Sequence, residues 1–269
     1  MKILQTIIVA VLFVATAAVH AGVEMELITK DPAGAVTESV KLFAQSGKIR
    51  MEDIGDSSGQ QMSMIFLGQE FIVIDHGNQT YIVMDEAMVA EMGSQMSAAM
   101  QQMQAELARM PPEQRAMVEQ MMQGQMAGVM GSGEQAPPPR VENVGTGEWQ
   151  SEPCTQYAVY EGGEKTQEIC AAPLAEIDGA DEAMRAFESM AKFINSLSES
   201  MPEPMASSMA ENPMGLIDRI DGFPVRTVDF EGGEASNETT LESVVDKPLD
   251  ASLFAIPEGY TRQDPFASR

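Results

Sequence analysis

The chain has 269 residues, with 41 Asp and Glu against 16 Lys and Arg, for a formal net charge of −25. Such a surface repels phosphate backbones and anionic headgroups, so nucleic-acid binding is not expected.

Met1 to Ala21 reads as a secretory signal peptide. Lys2 supplies the positive start, Ile3 to Val19 is almost wholly apolar, and Val19-His20-Ala21 fits the small-residue cleavage rule. Cleavage would leave 269 − 21 = 248 residues, and losing Lys2 takes the charge from −25 to −26. No Cys follows the cut, so the site for a bacterial lipid anchor is missing. No later segment is long and apolar enough to cross a bilayer as a helix. The expectation is a periplasmic protein, soluble after cleavage, with 1–21 removed and 22–269 forming a single domain.

From Val23 to Asp85 the pattern is strand, turn, strand. Val23 to Ile28 alternates, Asp31-Pro-Ala-Gly34 turns, and Val36 to Ala44 alternates again, partly out of phase. Ser46-Gly47 leads into Lys48 to Ile54, with Ile49, Met51 and Ile54 inward. Met62 to Leu67, Phe71 to Ile74 and Thr80 to Met84 follow, the last two joined at Gly77-Asn78. Six consecutive strands with short turns predict an antiparallel meander.

Residues 84–130 then read as a methionine-rich helical insertion, holding twelve of the 23 methionines. Met88, Met92, Met96, Met100, Met103, Leu107 and Met110 recur at steps of three and four, which lines one face of a helix. Pro111-Pro112 ends it. A second helix would carry Met117, Met121, Met122, Met126 and Met130.

Strands resume near Arg140 to Gln150. The next pair, Thr155 to Tyr160 and Lys165 to Ala171, folds at Glu161-Gly-Gly-Glu164 and brings Cys154 and Cys170 almost opposite each other. Two cysteines in an oxidising compartment predict one disulfide. A further helix is predicted from about Asp178 to Met201, with Met184, Phe187, Met190-Ala191, Ile194 and Leu197 as its apolar stripe. Phe223 to Phe230, a Gly232-Gly233 turn and Asn237 to Val245 return to strands. The fold class is therefore α+β: one large curved antiparallel sheet, with the helices packed on one face.

Catalytic constellations are sparse. After cleavage His76 is the one histidine, beside a turn where an exposed position is expected. No Gly-x-Ser-x-Gly elbow and no phosphate loop occurs, and paired cysteines leave no thiol nucleophile. The reading is non-enzymatic, with no cofactor.

Four stretches together carry a family resemblance: Gly47-Lys-Ile-Arg-Met51, Ile74-Asp75 with Thr80-Tyr81, Cys154-Thr-Gln-Tyr-Ala-Val-Tyr160, and Leu253-Phe-Ala-Ile-Pro-Glu-Gly-Tyr260. The chain resembles an exported bacterial family, domain of unknown function 4412. That family is similar in outline to the periplasmic lipoprotein-carrier (LolA/LolB-like) superfamily. The resemblance implies a half-barrel sheet with helices filling its concave side, and it supplies no catalytic residues.

Three functions fit these observations. The first is binding of an apolar small molecule, lipid or acyl chain in a cavity lined by Met88, Met92, Met96, Met100, Met103, Met117, Met121, Met184, Phe187 and Ile194, since unbranched methionines repack at low cost. The second is a Cu(I) or Ag(I) buffer, with the soft thioethers of Met88, Met92 and Met96 as ligands. The third is a structural envelope protein with no small ligand.

Overall fold

The structure is a computed structural model that describes residues 22–55, 61–109, 139–199, 216 and 219–264. The signal segment and the second predicted methionine helix, with Met117 and Met121, lie outside the described residues.

Among the described residues, twelve strands form one sheet. The first meander is β1 (Gly22–Lys30), β2 (Val36–Gln45), β3 (Lys48–Gly55), β4 (Gln61–Phe66), β5 (Glu70–Asp75) and β6 (Thr80–Asp85). The second is β7 (Arg140–Trp149), β8 (Glu152–Glu161), β9 (Glu164–Ala172), β10 (Phe223–Glu231) and β11 (Glu234–Lys247), and β12 (Thr261–Arg262) closes the chain. The spatial order is β12-β6-β5-β4-β3-β2-β1-β11-β10-β9-β8-β7. Each meander is internally sequential, and pairing of β1 with β11 welds the two together. All neighbours are antiparallel except β12, which lies parallel to β6.

The hairpin turns follow from their residues. Gly162 and Gly163 take φ of 58° and 93°, and Gly232 and Gly233 take 59° and 86°. Positive φ at both turn positions matches the right-handed twist of the flanking strands, and glycine adopts it without strain. The predicted cysteine hairpin forms, and Cys154 and Cys170 are joined in a disulfide. Cys170 pairs in register with Gln156, so the cystine runs diagonally between the two strands.

Two helices are present among the described residues. Helix α1 (Glu86–Arg109) begins directly after β6. The Asp85 carboxylate accepts from the Met88 amide at 2.8 Å, satisfying one of the helix's unpaired N–H groups. Helix α2 (Ala180–Glu199) connects β9 to β10. It buries Ala183, Ala186, Met190, Phe193 and Leu197, while Met184, Phe187 and Ile194 are half-buried beside them. The deepest stripe is thus turned from the run of large side chains towards the small ones. Alanine lets the helix axis approach the sheet, and the larger neighbours spread along its flanks.

The sheet is apolar on both faces. The face under α2, here the inner face, carries Val23, Met25, Leu42, Ile49, Phe66, Phe71 and Val225 among its buried residues. On the outer face of β2–β6 lie Phe43, Ile65, Ile72, Ile74 and Val83, covered by Leu249, Leu253, Phe254, Ile256 and Tyr260 of the closing segment. A smaller outer cluster of Tyr157, Val159, Ile169 and Ala171 lies under Leu216 and Ile220.

One corner of the sheet curls. Four steps separate β7 from β11, about 19 Å if flat. Yet the Trp149 ring N–H donates to the Leu241 carbonyl at 3.0 Å, and the Gln150 side chain to the Glu242 carbonyl at 3.1 Å. Trp149 packs with the inner cluster, so the bend is towards the face that carries α2.

Candidate functional site

In a sheet, residues directly opposite one another point to the same face, so register alone identifies rows of side chains. Two rows cross the inner face of the first meander. The first runs Val23, Ala44, Ile49, Phe66, Phe71 and Met84. The second runs Met25, Leu42, Met51, Met64, Val73 and Ile82.

Helix α2 lies along the first row. At its start, Gly179 packs against Val23, and Glu182 accepts a hydrogen bond from the Ser46 amide at the β2–β3 turn. Further on, the Phe193 ring sits 5.8 Å from Phe66 and 5.6 Å from Phe71. Ala180 to Phe193 spans about 20 Å of helix, and β1 to β5 spans about 19 Å of sheet. The helix is therefore as long as the row it covers, and five of that row's six residues are buried.

The second row lies beside the helix and is covered only in part. Met25 and Leu42 are buried, whereas Met51, Met64, Val73 and Ile82 are half-buried. Leu27 and Val40, opposite each other on β1 and β2, continue the half-buried band. The strip from Met51 to Ile82 is four strands wide, about 14 Å. All of its side chains are apolar, so it can accept an apolar group and offers no hydrogen bond to a polar one.

The eight predicted lining residues that fall within described elements divide into three sets. Met184, Phe187 and Ile194 pack against the inner core from α2. On α1, Met88 and Met92 are half-buried, and Val89 between them is buried in the inner cluster. Met96, Met100 and Met103 fall within α1, their side chains outside the described set. The band itself was not among the predicted lining residues. Strand alternation in the sequence marks Met51 as inward, but only register places Met64 opposite it.

The outer face carries a polar cleft of about 200 Å³ lined by Arg50, Glu52, Gln61, Met62, Ser63 and His76. His76 is half-buried, a correction to the exposed turn position expected for it. Its Nε2 is hydrogen-bonded to Ser63 Oγ at 2.9 Å and its Nδ1 to the Tyr260 hydroxyl at 2.9 Å. Arg50 donates through Nε to Glu52 at 2.7 Å and through Nη1 to the Leu253 carbonyl at 2.8 Å. A hydroxyl beside an imidazole is the start of a nucleophile–base pair. Here, however, Ser63 is only 1% exposed, and a phenol stands where a triad has its carboxylate. The chain of bonds fastens the closing segment to the sheet instead. That explains the Leu253 to Tyr260 motif: Phe254 fills the outer core, and Leu253 and Tyr260 are tied to Arg50 and His76.

The two carboxylates flanking the β5–β6 hairpin are also tied up in local structure. Asp75 accepts from the Asn78 amide at 2.9 Å and its side chain at 2.7 Å. These bonds, the backbone one first, hold its carboxyl below the usual value of 3.8. Asp85 caps α1, as described above. Among the described residues no group of three or more His, Cys, Asp or Glu is placed to hold a metal ion.

Residues 129–260 match the family described as Domain of unknown function (DUF4412). Of the four stretches that resemble the family, the Cys154 and Leu253–Tyr260 motifs fall within the DUF4412 match and the two from the first meander precede it. The fold is similar to that of an uncharacterized conserved protein from Thermus thermophilus, at 7% identity and a TM-score of 0.44, covering 90% of this chain and 89% of that one. It is also similar to the LolA superfamily protein NE2245 from Nitrosomonas europaea, at 8% identity and a TM-score of 0.30, covering 88% and 90%. A third likeness, PNGF-II, has 10% identity and a TM-score of 0.33, with 91% of this chain but 31% of that one covered. No curated protein matches in sequence. Likenesses this distant say nothing of a ligand. No described helix is long and apolar enough to cross a membrane.

Proposed function

We propose that the protein is a non-enzymatic, exported binding protein for an apolar ligand or acyl chain, held against the half-buried band of the inner face. In this reading the sheet is a half-barrel, its concave side carries α2 and the methionine-rich α1, and the ligand lies alongside α2. The observation that carries the proposal is the contrast along one row of side chains. Met25 and Leu42 are sealed, while Met51, Met64, Val73 and Ile82 stay half-open.

Two features support it. An apolar strip open to solvent costs about 25 cal/mol for each Å² left wet, which a bound apolar group recovers. Methionine is the side chain that adapts best to ligands of varied shape, and Met88 and Met92 stand half-buried at the start of α1. Residues 1–21 supply the export signal in this reading.

The test is binding of the neutral probe N-phenyl-1-naphthylamine to the mature protein, followed by displacement with a fatty acid. The expected result is saturable fluorescence that the fatty acid reverses and that Met64→Asp abolishes while the fold persists. A native protein that binds no probe would contradict the proposal.

A further inference from the structure

The band has a chemical property beyond its shape. Met51 and Met64 stand directly opposite each other on β3 and β4, where Cβ atoms are typically about 5 Å apart. Both are half-buried rather than sealed, so each side chain keeps part of its surface in contact with solvent. Two other methionines of the same inner core are sealed: Met25 is 0% exposed and Met190 is 5% exposed. The molecule thus contains its own contrast between reachable and unreachable thioethers.

We propose that Met51 and Met64 form an oxidation site whose conversion to sulfoxide releases the apolar ligand. The inference rests on the binding role given above. The co-reactant is a two-electron oxygen donor, hypochlorous acid or a peroxide. The thioether sulfur gives up two electrons and gains one oxygen atom. Hypochlorous acid leaves as chloride and a proton, and a peroxide leaves as its alcohol or as water. Each step turns an apolar side chain into a polar, chiral one, and the change is reversible by reduction. Along the row, the neighbours are Leu42 on one side and Val73 on the other. Neither side chain can donate to the new oxygen, so a ligand lying over it would bury an unsatisfied acceptor, which is costly.

The mature protein would be treated with graded hypochlorous acid, mapped by peptide mass spectrometry, and titrated with N-phenyl-1-naphthylamine at each dose. Sulfoxide at Met51 and Met64 is expected to build up about tenfold faster than at Met25 and Met190, following exposure. Probe affinity should fall about tenfold as the pair is converted. The double variant Met51→Leu with Met64→Leu, whatever its starting affinity, should keep that affinity at the dose that silences the wild type, because leucine has no sulfur to oxidise. The inference is overturned if the sealed methionines oxidise as fast as the pair, if binding survives full conversion of the pair, or if the double variant loses its own starting affinity to the same extent as the wild type. Absence of probe binding before any oxidant would instead sink the binding role itself.

Discussion

The two inner rows of the first meander share strands, face and spacing, yet they end in different states. The first row is filled by Ile49, Phe66 and Phe71 and roofed by α2, whose Phe193 completes an aromatic cluster. The second, one step along the same strands, holds Met51, Met64, Val73 and Ile82 at half burial. A helix is about as wide as two such rows, and α2 lies over the first, covering the second only at Met25 and Leu42. What separates core from candidate surface is therefore the placement of one helix, not a change in strand composition.

The largest effect should come from breaking the roofed row. Phe66→Ala removes a fully buried ring between Phe71 and Phe193 and should destabilise by about 3–5 kcal/mol in urea denaturation. Met64→Ala, next on the same strand face, should cost less, about 1–2 kcal/mol, because that side chain is already partly exposed. Equal losses at the two sites would erase the distinction between the rows.

Removing the disulfide comes next. Cys154→Ala with Cys170→Ala opens a crosslink of sequence separation 16, and a loop of this size is worth about 3 kcal/mol by chain entropy. Thermal unfolding of the double variant would measure it. The loss should be similar with and without probe, since the cystine lies in the second meander, away from the band.

The smallest effect concerns pH and the polar outer face of the central strands. Hydrogen bonding to Arg226 is the main cause holding the Glu238 carboxyl below its ordinary 4.5. A depressed carboxylate contributes stability that is fully present above 4.5 and is lost as pH falls through the lower folded value. Both side chains are more than a third exposed, so solvent screening limits the effect to roughly 0.2–1 kcal/mol. Glu238→Gln should flatten the acid limb of stability by that amount, read from unfolding between pH 5 and about 2.

Much of the architecture was legible in the chain. Period-two alternation located β1 to β6, and the Gly77-Asn78, Gly162-Gly163 and Gly232-Gly233 pairs marked turns where hairpins form. The disulfide followed from compartment and hairpin. The α2 stripe was read by side-chain size, which favours Met184, Phe187 and Ile194, and the structure buries Ala183, Ala186 and Phe193 more deeply. Helical periodicity finds the face to within about one residue step; close approach to the sheet then favours alanine, which a hydrophobicity count underrates. The Ser63, His76 and Tyr260 chain was illegible because it joins residues 13 and 184 positions apart. The apolar band was illegible for the same reason: Met51 was read as inward, but its pairing with Met64 is a property of register.

The central claim, that the half-buried band is where an apolar ligand lies, is tested most directly by NMR of the methionine methyl groups in protein labelled at the ε-carbon. Titration with a fatty acid should shift the Met51 and Met64 signals saturably and leave those of Met25 and Met190 in place. Signals that all stay still, or that move for the sealed methionines and not for the pair, would contradict it.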